Sequence, residues 1–221
     1  LDVAAWLQDL ARDKQQLALL ADAAQAVDSA RDAKLAELQK RIEHKVRHPG
    51  TNTLGEENRK VIVFCAFADT AAYLYEQLEG WARQHLGVHI ALVSGGTRPN
   101  RSTFGHAEFT HILANFAPRA KQRAKMKSMP QDGEIDILIA TDCISEGQNL
   151  QDCDWLINYD IHWNPVRIIQ RFGRIDRIGS PNERIQLVNF WPNIELEEYI
   201  NLEQRVSGRM VLLDISATGE E

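Results

Sequence analysis

The stretch VIVFCAFADTAAYLYEQLEG, residues 61–80, joins an unbroken apolar run to a segment with helical spacing. The run VIVFCAF (61–67) is dense in β-branched residues and predicts a strand that is buried on both faces. Asp69 can cap a following helix. Apolar residues recur on one side of that helix, at Leu74, Leu78 and Trp81 or Ala82. The stretch therefore predicts a strand followed by a helix.

The same alternation continues along the chain. Four more short apolar runs predict strands, at 88–94 (VHIALVS), 135–141 (IDILIAT), 155–160 (WLINYD) and 184–190 (RIQLVNF). Strands that are apolar almost throughout and are separated by helical stretches predict an α/β fold with a mostly parallel sheet covered on both faces. Ligands of such sheets meet the loops at the carboxyl ends of the strands.

The two ends of the chain favour helices. Residues 2–47 contain no Pro or Gly, and apolar residues recur at steps of three and four, at Leu35, Leu38, Ile42 and Val46. Residues 48–60 collect Pro, Gly, Asn and Thr, as linkers do. The last residues predict a closing helix with one apolar stripe, Leu202, Val206, Met210 and Leu213. We predict a helical extension over 1–50, a linker over 51–60 and an α/β domain over 61–221.

Composition and charge restrict the kind of protein. The 221 residues are 44% hydrophobic and 25% charged, which is the composition of a globular chain with a substantial core. A net charge of −6 means that contact with nucleic acid must come from a local patch. Three cysteines without zinc-site spacing predict no metal site and, together with the lack of a membrane-spanning run, favour the cytoplasm. The chain begins with Leu inside a predicted helix, which indicates a fragment of a longer protein.

A second stretch, QRFGRIDRIGS (170–180), has a helix signal at each end. Asn164 can accept the free amide hydrogens of a helix start, and Pro165 fits the first helical position. The residues GSP at 179–181 supply the stop signal. Between these signals, one face is apolar and is expected to pack on the sheet, with Ile168, Phe172, Ile175 and Ile178.

The polar face of the same predicted helix carries Gln170, Arg174 and Arg177. Arginines one turn apart repel each other, so two interpretations are open: a bound polyphosphate, or a solvated face paired with nearby Asp or Glu. Gly173 lowers helix stability by roughly 1 kcal/mol relative to Ala, which indicates that something approaches the backbone closely there.

QRFGRIDRIGS resembles motif VI of the superfamily 2 helicases and translocases, which belongs to their second RecA-like lobe. ATDCISEGQNLQ (140–151) resembles motif V, and together with DIHWNP (160–165) it is similar to the SWI/SNF-type ATPases, closest to the bacterial branch that includes the RNA-polymerase-associated ATPase. VIVFCAFAD (61–69) and VSGG (93–96) stand where motif IV and a DNA-facing turn are expected. The resemblance spans residues 60–190 and implies a RecA-like, three-layer α/β domain.

The resemblance also implies roles for individual residues. Arg174 and Arg177 would be arginine fingers that reach a nucleotide held by the first lobe. The residues implied beside that nucleotide are Gln170, Gly147 and Asn149. The residues implied at the nucleic acid are Ser94, Gly95, Gly96, Thr141, Ser145 and Trp163. For the tryptophan, packing of the helix against the sheet is the favoured interpretation, with contact to the groove as the alternative.

No G-x-x-x-x-G-K-[ST] phosphate loop and no acidic magnesium motif occur in the 221 residues. The resemblance therefore implies that ATP and Mg²⁺ are held mainly by an N-terminal RecA-like lobe in cis, and we expect the chain alone to be inactive. The implied partners are double-stranded DNA, weakly bound by this chain alone, and RNA polymerase or another nucleoprotein complex at the bacterial nucleoid. The alternative is a nucleic-acid or protein interaction module that keeps this fold without ATP coupling.

Three features depart from the family pattern. The residues DCI at 142–144 stand where many eukaryotic members have an arginine followed by glycines, so the groove contact of that arginine cannot be transferred. Ser180 replaces the terminal glutamine of motif VI. The segment 98–134 is longer than expected and has no assigned function. Its basic stretch RAKQRAKMK (119–127) is interpreted as a solvated loop, with contact to a phosphate backbone as the alternative.

Overall fold

A computed structural model describes residues 2–25, 28–95, 98–144, 147–162 and 164–191 of the protein. The described residues fall into two compact units that divide between Lys40 and Arg41. Within these ranges no helix combines the length and apolarity that crossing a membrane requires. The predicted closing helix, with Leu202, Val206, Met210 and Leu213, lies outside the described residues.

Two helices account for the N-terminal region, as the sequence predicts. Helix α1 runs over Val3–Gln25 and helix α2 over Ala33–Arg47. All four residues of the predicted apolar stripe of α2 are buried, namely Leu35, Leu38, Ile42 and Val46. In α1, by contrast, large apolar side chains such as Trp6 and Leu17 are exposed.

The segment predicted as a linker contains an antiparallel hairpin. Its strands are β1 (Gly50–Thr51) and β2 (Glu57–Asn58). The Thr53 amide donates to Pro181 O at 2.8 Å, and Asn58 Nδ2 donates to Asp152 O at 2.8 Å. The segment therefore differs from the predicted linker, because long-range hydrogen bonds fix it within the second unit.

A six-stranded sheet forms the centre of the second unit. Its strands are β3 (Val61–Phe64), β4 (Ile90–Val93), β5 (Arg101–Ser102), β6 (Ile137–Ala140), β7 (Trp155–Asn158) and β8 (Gln186–Asn189). The order across the sheet is β5-β4-β6-β3-β7-β8, and only β5 runs antiparallel to its neighbour. All five predicted strands are confirmed, and so is the mostly parallel α/β fold.

Helices flank the sheet and close its core. They are α3 (Ala68–Trp81), α4 (Phe109–Phe116) and α5 (Pro165–Phe172). Strands β3, β4 and β6 are buried at every position, which explains their unbroken apolar sequences. The predicted cap of α3 is wrong: the helix begins after Phe67 without a side-chain cap, and Asp69 forms an ion pair with Arg98 instead.

Candidate functional site

Helix α5 begins where the sequence predicts and ends seven residues before the predicted stop at Gly179. Asn164 Oδ1 accepts a hydrogen bond from Val166 N at 3.1 Å, and Pro165 occupies the first helical position. The helix ends at Phe172, and Gly173 is its C-cap with φ −61° and ψ 1°. Any residue can adopt these angles, so it is the low helix propensity of glycine, and not a left-handed turn, that agrees with the helix ending here.

The early end of α5 corrects the prediction of a single polar face. Gln170 lies on the helix, whereas Arg174 and Arg177 follow on the turns beyond it. A Cβ atom built on Gly173 would lie 3.5 Å from Ile169 O, which is an ordinary contact. Nothing in the described part of the chain therefore requires glycine for a close approach, and the residue acts here as a helix terminator.

The predicted apolar face is confirmed in its first part and wrong at its end. Ile168 and Ile175 are fully buried, and Ile175 packs in the core cluster beside Leu150. Phe172 is partly buried. Ile178, in contrast, is fully exposed, because the helical phase that would place it on the sheet is lost after Phe172.

Hydrogen bonds hold the arginine segment 174–180 against the end of the motif V loop. Leu150 N donates to Arg174 O at 2.9 Å. Gln151 Nε2 donates to Gly179 O at 3.3 Å, and the Gln151 carbonyl accepts from Ser180 Oγ at 3.2 Å. Because these residues lead into β7, the segment lies near the amino-terminal end of that strand, whereas ligands of parallel sheets are usually met at the carboxyl ends.

The motif V residues predicted beside the nucleotide lie in the same loop. Asn149 Oδ1 accepts from Gln151 N at 3.2 Å, which fixes the turn that precedes β7. Gly147 is exposed and has a φ of +71°, a left-handed conformation that favours glycine. Gln170 on α5 has a buried Oε1 with no hydrogen-bond partner among the described residues. Such an acceptor is costly to leave unmatched, so a donor from a ligand or another lobe would satisfy it.

Arg177 has the exposure expected of a ligand-binding residue. Its side chain is exposed, and its Nε donates to Gly173 O at 3.3 Å. It forms no ion pair with any side chain in the described ranges. Of the two interpretations open from the sequence, this arrangement favours an anionic ligand over pairing with nearby Asp or Glu.

Three of the residues predicted at the nucleic acid meet at the carboxyl ends of β4 and β6. Thr141 Oγ1 accepts from Gly95 N at 3.2 Å, and Ser94 Oγ is buried without a hydrogen-bond partner among the described residues. A Cβ on Gly95 would lie 2.9 Å from Cys143 Cβ, so only glycine fits. The other predicted residues of this set, Gly96, Ser145 and Trp163, lie outside the described residues.

Sequence reasoning missed Arg171, the arginine of motif VI that points inward. Its side chain is fully buried, and its guanidinium makes a two-pronged ion pair with Asp142, with Nε–Oδ1 at 2.7 Å and Nη2–Oδ2 at 3.1 Å. Nη1 donates to Asn158 Oδ1 at 2.9 Å and to Asp160 O at 3.1 Å. The group also lies over the Phe64 ring, 5.1 Å from its centroid. One side chain thus joins α5 to the carboxyl ends of β3, β6 and β7.

Asp142 is also one of the departures from the eukaryotic family pattern. It follows Thr141 directly, where that pattern has an arginine. A second buried arginine there would repel Arg171, whereas the carboxylate matches its charge and its planar fork. The signal that could have revealed the pair was the replacement of a cation by an anion in motif V together with an additional arginine in motif VI.

A comparison with protein families identifies the chain. Residues 34–179 match the family described as helicase conserved C-terminal domain. The chain belongs to this family. The resemblance drawn from motifs V and VI is thereby confirmed, while the roles of individual residues stay predictions.

Relatives of this helicase lobe include bacterial proteins. It is 32% identical over 141 residues to the uncharacterized ATP-dependent helicase YqhH of Bacillus subtilis, covering 64% of the lobe and 20% of YqhH. It is 31% identical over 135 residues to the RNA polymerase-associated protein RapA of Yersinia enterocolitica, covering 61% of the lobe and 12% of RapA. The lobe therefore corresponds to a small part of each relative.

A solved structure supports the fold. The C-terminal part of the Fun30 ATPase domain superposes with a TM-score of 0.51 at 18% identity, covering 76% of this lobe and 44% of that chain. The RecA-like fold class predicted from the sequence is confirmed.

The basic stretch 119–127 of the lobe contains arginines that make structural contacts. Arg119 pairs with Glu56. Arg123 is buried and donates to Gly133 O at 2.8 Å and to Asn115 Oδ1 at 3.2 Å. These two arginines hold the segment in place, so the stretch is not a solvated loop throughout.

In the described ranges, no group of three His, Cys, Asp or Glu side chains is placed so that it could hold a metal ion.

Proposed function

We propose that this helicase lobe is the C-terminal motor lobe of a DNA-dependent ATPase that moves along duplex DNA. In this proposal ATP and Mg²⁺ are held by a partner RecA-like lobe, and Arg174 and Arg177 complete the site. A γ-phosphoryl group that leaves ATP spreads negative charge over its oxygens, and a guanidinium is always charged and rigid enough to stabilise that charge. Arginine fingers accelerate such reactions on the order of 10³-fold or more.

The observation that carries the proposal is the state of Arg177. The residue is exposed and forms no ion pair with another described residue, and its segment is hydrogen-bonded to the motif V loop. A structural arginine normally reaches a carboxylate, as Arg171 does with Asp142. An arginine held in place without an anion is therefore suited to an anion that arrives with another lobe.

The proposed nucleic-acid contact is made by Ser94, Gly95 and Thr141. Hydroxyl groups and backbone amides at the ends of strands bind phosphate oxygens without reading bases, as a translocase that crosses every sequence requires. The net charge of −6 limits the affinity of the isolated lobe for DNA. RapA is named for its association with RNA polymerase, and we extend to this protein a partner of that class, RNA polymerase or another nucleoprotein complex in the bacterial cytoplasm.

The proposed ATPase cycle depends on the two lobes, because each supplies a part of the catalytic site. Closure of the two lobes on ATP would bring the arginines to the phosphates, and hydrolysis would let the lobes reopen and step along DNA. The 221 residues contain no phosphate-binding loop, so we expect the isolated lobe to hydrolyse no ATP.

The test is DNA-stimulated ATPase activity in the protein that carries this lobe together with an ATP-binding lobe. Arg174→Ala and Arg177→Ala should each lower kcat by about 10³-fold, while the affinity for ATP and the fold are retained. Arg184→Ala, an exposed arginine outside the motif, is the matched control and should leave kcat unchanged. Unchanged rates in both motif variants would instead support an interaction module without ATP coupling.

A further inference from the structure

The segment 98–134, which the family resemblance leaves without a function, brings a lysine to the motif V loop. Lys121 Nζ donates to Gln148 Oε1 at 2.5 Å, and the side chain is partly buried. Gln148 stands between Gly147 and Asn149, the two motif V residues predicted at the nucleotide. Other cations of this basic stretch reach different partners: Arg119 pairs with Glu56, and Lys125 donates to Gln122.

Two segments hold residues 148–152 from different directions. Asp152 accepts Arg119 N at 2.7 Å and Ala120 N at 2.9 Å, which fixes the backbone just before Lys121. The hydrogen bonds from Leu150 and Gln151, described above, fix the segment 174–180 to the same five residues. Lys121 and the segment that carries Arg177 are therefore both attached to one short piece of motif V.

The electrostatics agree with this geometry. Burial lowers the pKa of Lys121, and the positive charge of Arg177 lowers it further. Neither cation forms an ion pair within the described ranges. Two neighbouring cations without an anion raise the free energy of the folded state, and a bound anion with several negative oxygens would remove that cost.

We propose that Lys121 and Arg177 together bind the phosphate groups of the nucleotide that the partner lobe holds. Lys121 is then a third cation of the arginine-finger site, beside Arg174 and Arg177. The inference rests on the proposed function and extends its site to a residue outside motifs V and VI. An ammonium group has three donors, so Lys121 can keep its hydrogen bond to Gln148 and still offer two to phosphate oxygens. The nucleotide is favoured over nucleic acid because Lys121 donates to Gln148, which stands between Gly147 and Asn149, rather than to the group of Ser94, Gly95 and Thr141.

The experiment compares Lys121→Met with Lys125→Met in the two-lobe protein, measuring ATPase rates against ATP at saturating duplex DNA and against DNA at saturating ATP. Lys125 is an exposed lysine of the same stretch, and among the described residues its ammonium group donates to Gln122 Oε1 alone. For Lys121→Met we expect kcat/KM for ATP to fall on the order of tenfold or more, the effect of losing a charged hydrogen bond. Lys125→Met should match the parent protein. Lys121→Arg, which keeps the charge, should recover most of the loss.

The outcomes separate the possibilities. A rise only in the DNA concentration for half-stimulation would overturn the nucleotide assignment and place the DNA backbone at Lys121. Unchanged kinetics for ATP and DNA, in Lys121→Met and in Lys121→Gln with parental melting temperatures, would overturn the phosphate site altogether. Arg177→Ala, measured in parallel, tests the arginine-finger role on which the inference rests. If this variant also leaves the ATPase rate unchanged, the proposed function fails. A loss of ATPase activity in Arg177→Ala alone removes only the role of Lys121.

Discussion

Helix α5 and the turns that follow it divide one arginine-rich motif into two opposite uses of the same side chain. In α5, Arg171 is fully buried and its donors reach a carboxylate, an amide oxygen and a carbonyl. Six residues later, Arg177 is exposed and donates to one carbonyl of its own turn. A buried arginine with filled donors fixes a structure, while an exposed one without an ion pair can still bind a ligand. The comparison shows that spacing within a motif does not by itself assign a role.

The two uses are also linked through the backbone. Arg174 N donates to Arg171 O at 3.1 Å, so the first residue of the arginine segment is placed directly by the residue that anchors α5. Asp142, the partner of Arg171, follows Thr141, which accepts Gly95 N at the proposed nucleic-acid contact. The anchor thus lies between the proposed nucleic-acid contact and the proposed nucleotide contact.

The largest effect should come from removing the anchor. Arg171→Met removes a fully buried guanidinium and leaves the partly buried carboxylate of Asp142 without its partner, a loss of about 3–5 kcal/mol for an ion pair of this kind. We expect the free energy of unfolding of the lobe, from urea titration followed by tryptophan fluorescence, to fall by that amount. Arg177→Ala should change it by no more than about 0.5 kcal/mol, because an exposed side chain is lost.

Arg167→Met is the control for this first experiment. Arg167 lies on the same helix and is only partly buried, so its loss should cost about 0.5 kcal/mol or less. A cost for Arg171→Met as small as that of Arg167→Met would mean that the buried pair does not anchor α5, and the contrast between the two arginines would disappear.

A second effect tests where the helix ends. Ile175→Ala removes a fully buried side chain from the core cluster and should cost about 2–5 kcal/mol. Ile178→Ala removes a fully exposed one and should change the free energy of unfolding by about 0.5 kcal/mol or less. The same unfolding titration measures both. Equal costs would indicate that the helix continues past Gly173 and places both isoleucines on the sheet, as the periodicity alone predicted.

The strands were predictable because a strand that is buried on both faces requires apolar residues at consecutive positions. A run such as VIVF has apolar side chains at every position, and β3 is buried at every position. The hairpin β1–β2 has only two residues in each strand, so no alternation of apolar and polar residues can mark it. Its turn residues therefore predicted a linker. The motif VI helix ends at Phe172 with Gly173 as its C-cap, well before the stop signal predicted at 179–181.

The candidate site was predictable only in part, because its contacts join distant residues. The motif pattern indicated Thr141 and Gly95, which the structure brings into hydrogen-bond contact. Arg171 could not be found from local rules, since an arginine on a helix is by default exposed. Its burial depends on Asp142, 29 residues earlier in the chain. Lys121 was hidden for the same reason, because its partner Gln148 lies 27 residues away.

The smallest expected effect is a change in the pKa of Lys121 when the charge of Arg177 is removed. Arg177→Ala removes a positive charge near Lys121 and so favours the protonated amine, which should raise the pKa of Lys121. The pKa should stay below the ordinary lysine value, because burial is the larger cause of its lowering and remains. Titration of the lysine side-chain resonances by NMR in the isolated lobe measures the change. Arg171→Lys keeps its charge at the buried site and should leave the pKa of Lys121 as it is. A pKa unmoved by Arg177→Ala would show that the two cations do not share one site.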